Sequence, residues 1–301
     1  KLSILWLISF PFLVFFNFNT LFLAILNGKK EILKLVIANI AGSLFALIIT
    51  SILAIKLHLY GALIALSIYQ SIAFIVTLFL CYRAKWFKFS SLFGKIDLEI
   101  TKKFSSFVWM ALVSAICVPL SQMLIRAYLS QEFGLAYAGY WEAMIRLSTV
   151  YLMLVTTTLG VYYLPRLSEL KMLDEIKKEI YLGYKFLFPL AVVGGIIVFV
   201  LRDWIINVLF SPSFAPMQSL FFWQMMGDAL KIGSWILAYL MLSKAMTKLY
   251  ISTEIIFTVS LLVLTYVCTQ VFGFEGVSIA YLVNYGMYWI VISLFIFKPL
   301  K

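Results

Sequence analysis

The chain is short of the residues from which water-facing surfaces and catalytic centres are built. Only 12% of its 301 residues are charged, 13 acidic side chains stand against 24 basic ones, and there is one histidine, His58. A single imidazole cannot build a metal site. Cys81, Cys117 and Cys268 lie in or beside apolar runs without CxxC spacing, which assigns them to packing. HExxH, GxSxG, the Walker A loop and the dinucleotide glycine fingerprint are all missing, so nothing points to nucleotide hydrolysis. The expectation is no enzyme: no catalytic residues, no metal ligands and no cofactor. No signal-peptide pattern precedes the first apolar run.

What is there is apolar. At 64% hydrophobic residues and a mean hydropathy of +1.03, the chain reads as an all-α integral membrane protein. About 20 apolar residues cross a bilayer. Nine such runs occur, at roughly 2–26, 35–55, 61–82, 104–129, 138–164, 184–201, 217–242, 249–271 and 276–297. They leave no room for a folded soluble domain.

A formal charge of +11 raises nucleic acid as a partner, and its distribution decides against it. Lys29, Lys30 and Lys34 follow span one; Arg83, Lys85, Lys88, Lys95, Lys102 and Lys103 lie between spans three and four. Arg166, Lys171, Lys177, Lys178 and Lys185 follow span five, Lys244 and Lys248 follow span seven, and Lys298 and Lys301 end the chain. The alternate loops carry only Lys56, Arg202 and, near a helix end, Arg126. Every second loop is basic, the pattern of cytoplasmic loops.

The segment from Ile25 lies over the one from Leu240 at a constant offset, with Lys29 on Lys244, Gly61 on Gly276 and Ala65 on Ala280. Each copy reads as helix, basic turn, helix, short outer loop with a glycine, helix. Six spans fall within the offset, so the copies have the same orientation, a parallel repeat about an axis normal to the membrane. If 104–301 is a complete six-helix lobe, then 1–82 is the last three helices of its partner, 83–103 the cytoplasmic linker, and three further helices precede residue 1. The expectation is about nine helices of a twelve-helix, two-lobe transporter, truncated at its N-terminus. Such lobes bind substrate near the midplane and work by alternating access.

Charges at bilayer depth cost about 2.5–3.5 kcal/mol on insertion scales and are kept for pathways or binding sites. Glu142 and Arg146 stand i,i+4 in span five, in the favourable order for an ion pair. That helix is expected to end at Leu164-Pro165-Arg166. Asp228 and Lys231 share a face of span seven, with Gly227 and Gly233 thinning the helix. They either line a cavity or neutralise each other against a neighbour. Gln122 and Asn284 are mid-helix and either face the cavity or bond across helices; Asn17 and Asn19 are their counterparts in the first lobe. Arg126 is expected to snorkel, Glu254 to be solvated at the cytoplasmic surface, and Tyr137, Tyr140, Trp141, Tyr162 and Tyr163 to form an aromatic belt. Buried cations suit an anionic headgroup such as a lipid-linked pyrophosphate.

The run 138–170, with its GYW, Arg146 four residues after Glu142, Thr156 to Thr158 and YYLPRLSEL, resembles the polysaccharide-unit flippases of bacterial envelopes, of the O-antigen and enterobacterial common antigen type in the MOP exporter superfamily. Gly227 to Lys231, Trp235 and Ser243-Lys244-Ala245 resemble that family's tenth helix. The resemblance implies a multi-pass protein of the bacterial inner membrane that moves undecaprenyl-pyrophosphate-linked oligosaccharide to the outer leaflet around a cationic cavity. Membrane lipids and other polysaccharide-assembly proteins would be its partners, and a proton or sodium gradient would drive it. It places Arg146 where the related peptidoglycan-precursor flippases keep a cavity arginine. With the polar residues read above from their depth in the helices, the expected substrate-binding set is Arg146, Lys231, Glu142, Asp228, Gln122 and Asn284. The alternatives are a multidrug/cation antiporter of the same superfamily, which would favour acidic cavity residues, and a membrane glycosyl polymerase or ligase, which would need a large outer loop.

Overall fold

The structure is a computed structural model and describes residues 2–88 and 97–297. Gly94, Lys95, Lys298, Lys301 and the stretch 89–96 of the expected linker lie outside the described residues. In lipid each backbone amide must be satisfied within its own segment, so apolar runs of this length become helices. No strand occurs among the described residues. The chain folds as two compact units, Lys1–Ile96 and Asp97–Lys301.

The first unit contains α1 (Leu2–Gly28) and α2 (Ile32–Tyr82), the latter broken at His58. Thr77 donates to Asn19 Oδ1 at 2.7 Å and Ser71 to the Phe12 carbonyl at 2.6 Å, fastening the second half of α2 to α1. Below them Glu31 accepts from Lys34 at 3.1 Å and from Trp86 Nε1 at 3.2 Å, which ties the chain after α2 to the α1–α2 turn. The Lys34 bond, with help from Trp86, holds the Glu31 carboxyl below its usual range.

The second unit comprises α3 (Leu98–Glu132), α4 (Leu135–Tyr151), α5 (Met153–Thr158), a π-helical turn (Leu159–Tyr163), α6 (Leu164–Glu169), α7 (Leu173–Val200), α8 (Arg202–Leu209), a 3-10 stretch (Pro212–Leu220), α9 (Phe221–Ser243), α10 (Thr247–Phe272) and α11 (Gly276–Phe297). The central helix is α9: 13 of its 23 residues are buried, whereas α10, longer by three residues, buries only four. Ile232, Ile236, Leu237 and Met241 join Tyr163, Leu167, Ile180 and Ile292 in one apolar core, and Trp141, Met144, Val198, Phe221 and Val277 form a second.

The repeat seen in the sequence is written into the backbone. Four of the five residues with positive φ among the described residues pair at the same offset: Lys30 (57°) with Ala245 (51°), and His58 (50°) with Gly273 (62°). Around the first pair the chain closes the same turn twice. Glu31 N–H reaches the Leu26 carbonyl at 3.0 Å and Met246 N–H the Met241 carbonyl at 2.9 Å; Lys30 bonds Asn27 and Ala245 bonds Leu242. These are Schellman caps, which need a left-handed residue. At the outer end, a Cβ on Gly61 would overlap the backbone of Leu53, and one on Gly276 the backbone of Cys268, the partner of Leu53 in the repeat.

His58 takes φ 50° and ψ −131° without being glycine, a conformation costing about 1–3 kcal/mol. His58→Gly, copying the residue its counterpart already has, is expected to stabilise the first unit by about 1 kcal/mol in thermal unfolding. A loss of stability would show that the imidazole makes a contact worth more than the strain.

Three expectations are corrected. Pro165 does not end its helix, which continues to Glu169. Pro165 cannot donate to the i−4 carbonyl, and the preceding π turn, in which Leu164 N–H reaches back to Leu159, loosens the ladder where the ring would clash. Lys177 and Lys178 are not in a loop, because α7 begins at Leu173 and lifts them onto a helix. The belt reading fails for Tyr163 and Trp141, which are buried in the two cores, while Tyr162 is 53% exposed.

Candidate functional site

A cavity of about 410 Å³ opens inside the second unit, walled by α3, α4, α9, α10 and α11. Its size falls in the range of about 300–1,000 Å³ usual for small-molecule sites. Aromatic rings form much of the wall: Trp141, Trp235, Tyr239, Tyr250, Tyr285 and Tyr288. Between them lie the amides Gln122 and Asn284, and the charged side chains Lys231 and Glu254.

Asp228 and Lys231 are three residues apart yet serve different surroundings. Asp228 is fully buried beneath the cavity and accepts from Tyr151 and Tyr281 hydroxyls, each at 2.9 Å. Gln224, one turn earlier, lies 3.5 Å from the same carboxylate, donates weakly to Ser148 and accepts from Ser278 at 3.3 Å. One carboxylate thus joins α4, α9 and α11. The contact is close because a Cβ on Gly227 would lie 2.5 Å from the Tyr281 ring, so only glycine lets that hydroxyl descend to Asp228.

Lys231 faces the cavity. Its ammonium stands 4.7 Å from the Trp235 ring centre, 5.7 Å from Tyr285 and 5.9 Å from Tyr281, a cage held by cation–π attraction. No ion pair joins it to Asp228 among the described residues. Lys231 lines the cavity, whereas Asp228 neither lines it nor forms an ion pair with Lys231, and is bonded to two tyrosines instead. Asn284 is 4% exposed, lines the cavity, and its Oδ1 has no partner; Gln122 faces it from α3.

Arg146 is elsewhere. Its side chain is 78% exposed and its Nε donates to Glu142 at 3.0 Å, while Arg126 approaches the other Glu142 oxygen at 3.4 Å. Two arginines thus share one carboxylate on the surface of α3 and α4. Trp141, Ile145 and Ser148 of α4 line the cavity, and Glu142 and Arg146 do not. The structure does not bring Arg146 and Lys231 together. Beyond this cluster α4 bends by 53° into α5.

Two site residues were not legible beforehand. Arg126 reads as a snorkelling residue until α4 sets Glu142 beside it. Glu254 was expected at the surface, and instead lines the cavity two turns into α10. Its spacing from Tyr250 and Phe257, both cavity residues, was the available signal.

Residues 2–219 match the model of a family described as "Polysaccharide biosynthesis protein". The chain belongs to that family. It is 28% identical over 272 residues to the Lipid III flippases of Escherichia coli (strain K12) and Shigella flexneri, covering 90% of itself and 65% of each. The family member described here therefore spans about two thirds of the length of these relatives. In three dimensions it is similar to a variant of the Vibrio cholerae MATE transporter VcmN, with a TM-score of 0.79 at 15% identity over 94% of this chain and 66% of that one. It is also similar to an outward-facing multidrug resistance MATE family transporter of the MOP superfamily, with a TM-score of 0.78 at 15% identity over 94% of this chain and 65% of that one. The fold is similar to that of these two transporters, all-α among the described residues, and the long apolar helices are those of a multi-pass inner-membrane protein.

Proposed function

We propose that this chain is part of a flippase that carries a polyprenyl-pyrophosphate-linked oligosaccharide from the cytoplasmic to the outer leaflet, by alternating access of a two-lobe exporter. In this reading 1–82 and 104–301 are parts of the two lobes and 83–103 is their linker. The observation that carries the reading is Lys231: a cation on the most buried helix, opening into an aromatic and amide-lined cavity that also holds Glu254, and making no ion pair among the described residues. Such a group gains most from an anionic headgroup. Family membership and the likeness to two Lipid III flippases support a lipid-linked substrate.

Lys231 would hold the pyrophosphate. Gln122 and Asn284 would offer hydrogen bonds, the unpartnered Asn284 Oδ1 requiring a donor such as a sugar hydroxyl. The surface pair Arg126 and Arg146, only half neutralised by Glu142, would attract the headgroup before it reaches Lys231. Asp228 would exchange a proton or sodium ion with a gradient, and releasing its two tyrosines would loosen α4 from α11. O-antigen units and enterobacterial common antigen units are both within this class.

The multidrug antiporter reading draws on the same fold and on Glu254. Against it, the aromatic cage that would receive a cationic drug already holds the protein's own ammonium group.

The test is complementation. The full reading frame encoding this chain would be expressed in a strain lacking its oligosaccharide-unit flippase, beside Lys231→Ala and Arg146→Ala. Surface polysaccharide should return with the parent, fall by at least about tenfold with Lys231→Ala, and fall less with Arg146→Ala, with all three inserted equally. Full export by Lys231→Ala would remove the site assignment. A parent that inserts, restores no polysaccharide with several repeat units and instead confers drug resistance would put the antiporter reading first.

A further inference from the structure

A second cavity, of about 380 Å³, lies at the lysine-rich end of the second unit. It is formed by the α6–α7 turn (Ser168, Leu170, Lys171, Leu173, Ile176), the α9–α10 turn (Lys244, Met246) with Leu240, and Ile296 near the end of α11. It shares no residue with the Lys231 cavity. Its walls are aliphatic apart from one hydroxyl and two ammonium groups. The hydroxyl is spoken for, donating to the Leu164 carbonyl at 2.8 Å. Lys244 reaches inward to the Leu170 carbonyl, and Lys171 is exposed at the rim. Beside Lys171, Met172 and Leu173 are 66% and 52% exposed, so large apolar side chains and a lysine share one edge.

We propose that this pocket holds an acidic glycerophospholipid, its phosphate between Lys171 and Lys244 and its acyl chains along Leu173, Ile176, Met246 and Ile296. The charge on the page favours this occupant. Among the described residues two ammonium groups and no carboxylate line the cavity; Glu169, Asp174 and Glu175 share the turn but are not in its walls. Burial pushes the Lys244 ammonium down from its ordinary value, and a phosphate diester would compensate that lost hydration. Basic pockets between membrane helices on the cytoplasmic side have the chemistry to bind anionic headgroups. An oligosaccharide carrier fits poorly, because the aliphatic walls give a sugar nothing to bond. The lipid would brace the α6–α7 turn against the α9–α10 turn whatever the protein transports.

The experiment is thermal unfolding of the purified full chain in detergent, supplemented with dioleoyl phosphatidylglycerol, dioleoyl phosphatidylcholine, undecaprenyl pyrophosphate or inorganic phosphate. Phosphatidylglycerol should raise the midpoint by about 5 °C over phosphatidylcholine, and inorganic phosphate should not. Lys171→Gln with Lys244→Gln should erase the difference. Because Lys244→Gln also removes the bond to Leu170, Lys171→Gln alone, which breaks no buried contact, should cut the difference by at least half. Equal shifts with both phospholipids, a difference that survives in Lys171→Gln, or a shift given by undecaprenyl pyrophosphate and not by phosphatidylglycerol would overturn the proposal.

Discussion

Gly276→Val should abolish folding of the second unit, and Gly61→Val should do the same for the first. A Cβ at either position falls on a main-chain carbonyl eight residues earlier, Cys268 in one case and Leu53 in the other. A flexible side chain can move aside, but a carbonyl inside a helix cannot without breaking its ladder. Overpacking usually costs about 1–3 kcal/mol, and a clash with fixed backbone belongs at or above the top of that range. The expected result is near-complete loss of the monodisperse peak on size-exclusion chromatography after detergent extraction. Gly139→Ala is the control, since a Cβ there meets nothing within 4 Å; it should be neutral or gain a few tenths of a kcal/mol from helix propensity. If Gly276→Val extracted and melted like the parent, the tight helix–helix turn described at Gly273 would be wrong.

The second large effect is expected from Asp228→Ala. It leaves two tyrosine hydroxyls without an acceptor among the described residues, and removes one partner of Gln224. In water-soluble cores each unsatisfied group costs about 1–3 kcal/mol. Interhelical hydrogen bonds in membranes average nearer 0.6 kcal/mol, because the separated helices find other partners. Two such bonds bracket the loss between about 1 and 6 kcal/mol, readable by thermal unfolding. Asp228→Asn keeps one acceptor oxygen and should recover more than half of it. A fully stable Asp228→Asn protein that fails to export would assign the carboxylate to coupling, whereas equal loss in both variants would leave it a bracket between helices.

Much of the architecture was legible because a bilayer imposes a simple rule on sequence: long apolar runs separated by basic turns. The repeat was legible for a related reason. Glycines at 61 and 276 cannot drift where a carbonyl lies against them, so they survive in a background that has otherwise diverged. Facing was harder to read. Hydropathy reports how deep a residue lies and says little about which side of the helix it faces, and this is why Tyr163 and Trp141 passed for belt residues. The same limit hid Glu254, whose neighbours in the cavity come from four other helices. Asp228 and Lys231 could be placed on one helix but not assigned to different neighbours, since that depends on how Tyr151 and Tyr281 approach. Pro165 misled because a π turn changes what a proline does, and nothing in the residues 159–163 announces one.

That π turn also sets a phase. An α-helix advances about 100° per residue, and a single π turn holds one residue more than the α-helix it interrupts. The faces on either side are therefore out of step by about a quarter turn. Deleting one residue there, Gly160 for instance, would preserve every hydrophobic residue and the overall length to within one step. It would nonetheless rotate the half that carries Glu142 and Arg146 relative to the half that carries Arg166. The helix thus works as a vernier, with the direction of its arginines set by a residue count some distance along the chain.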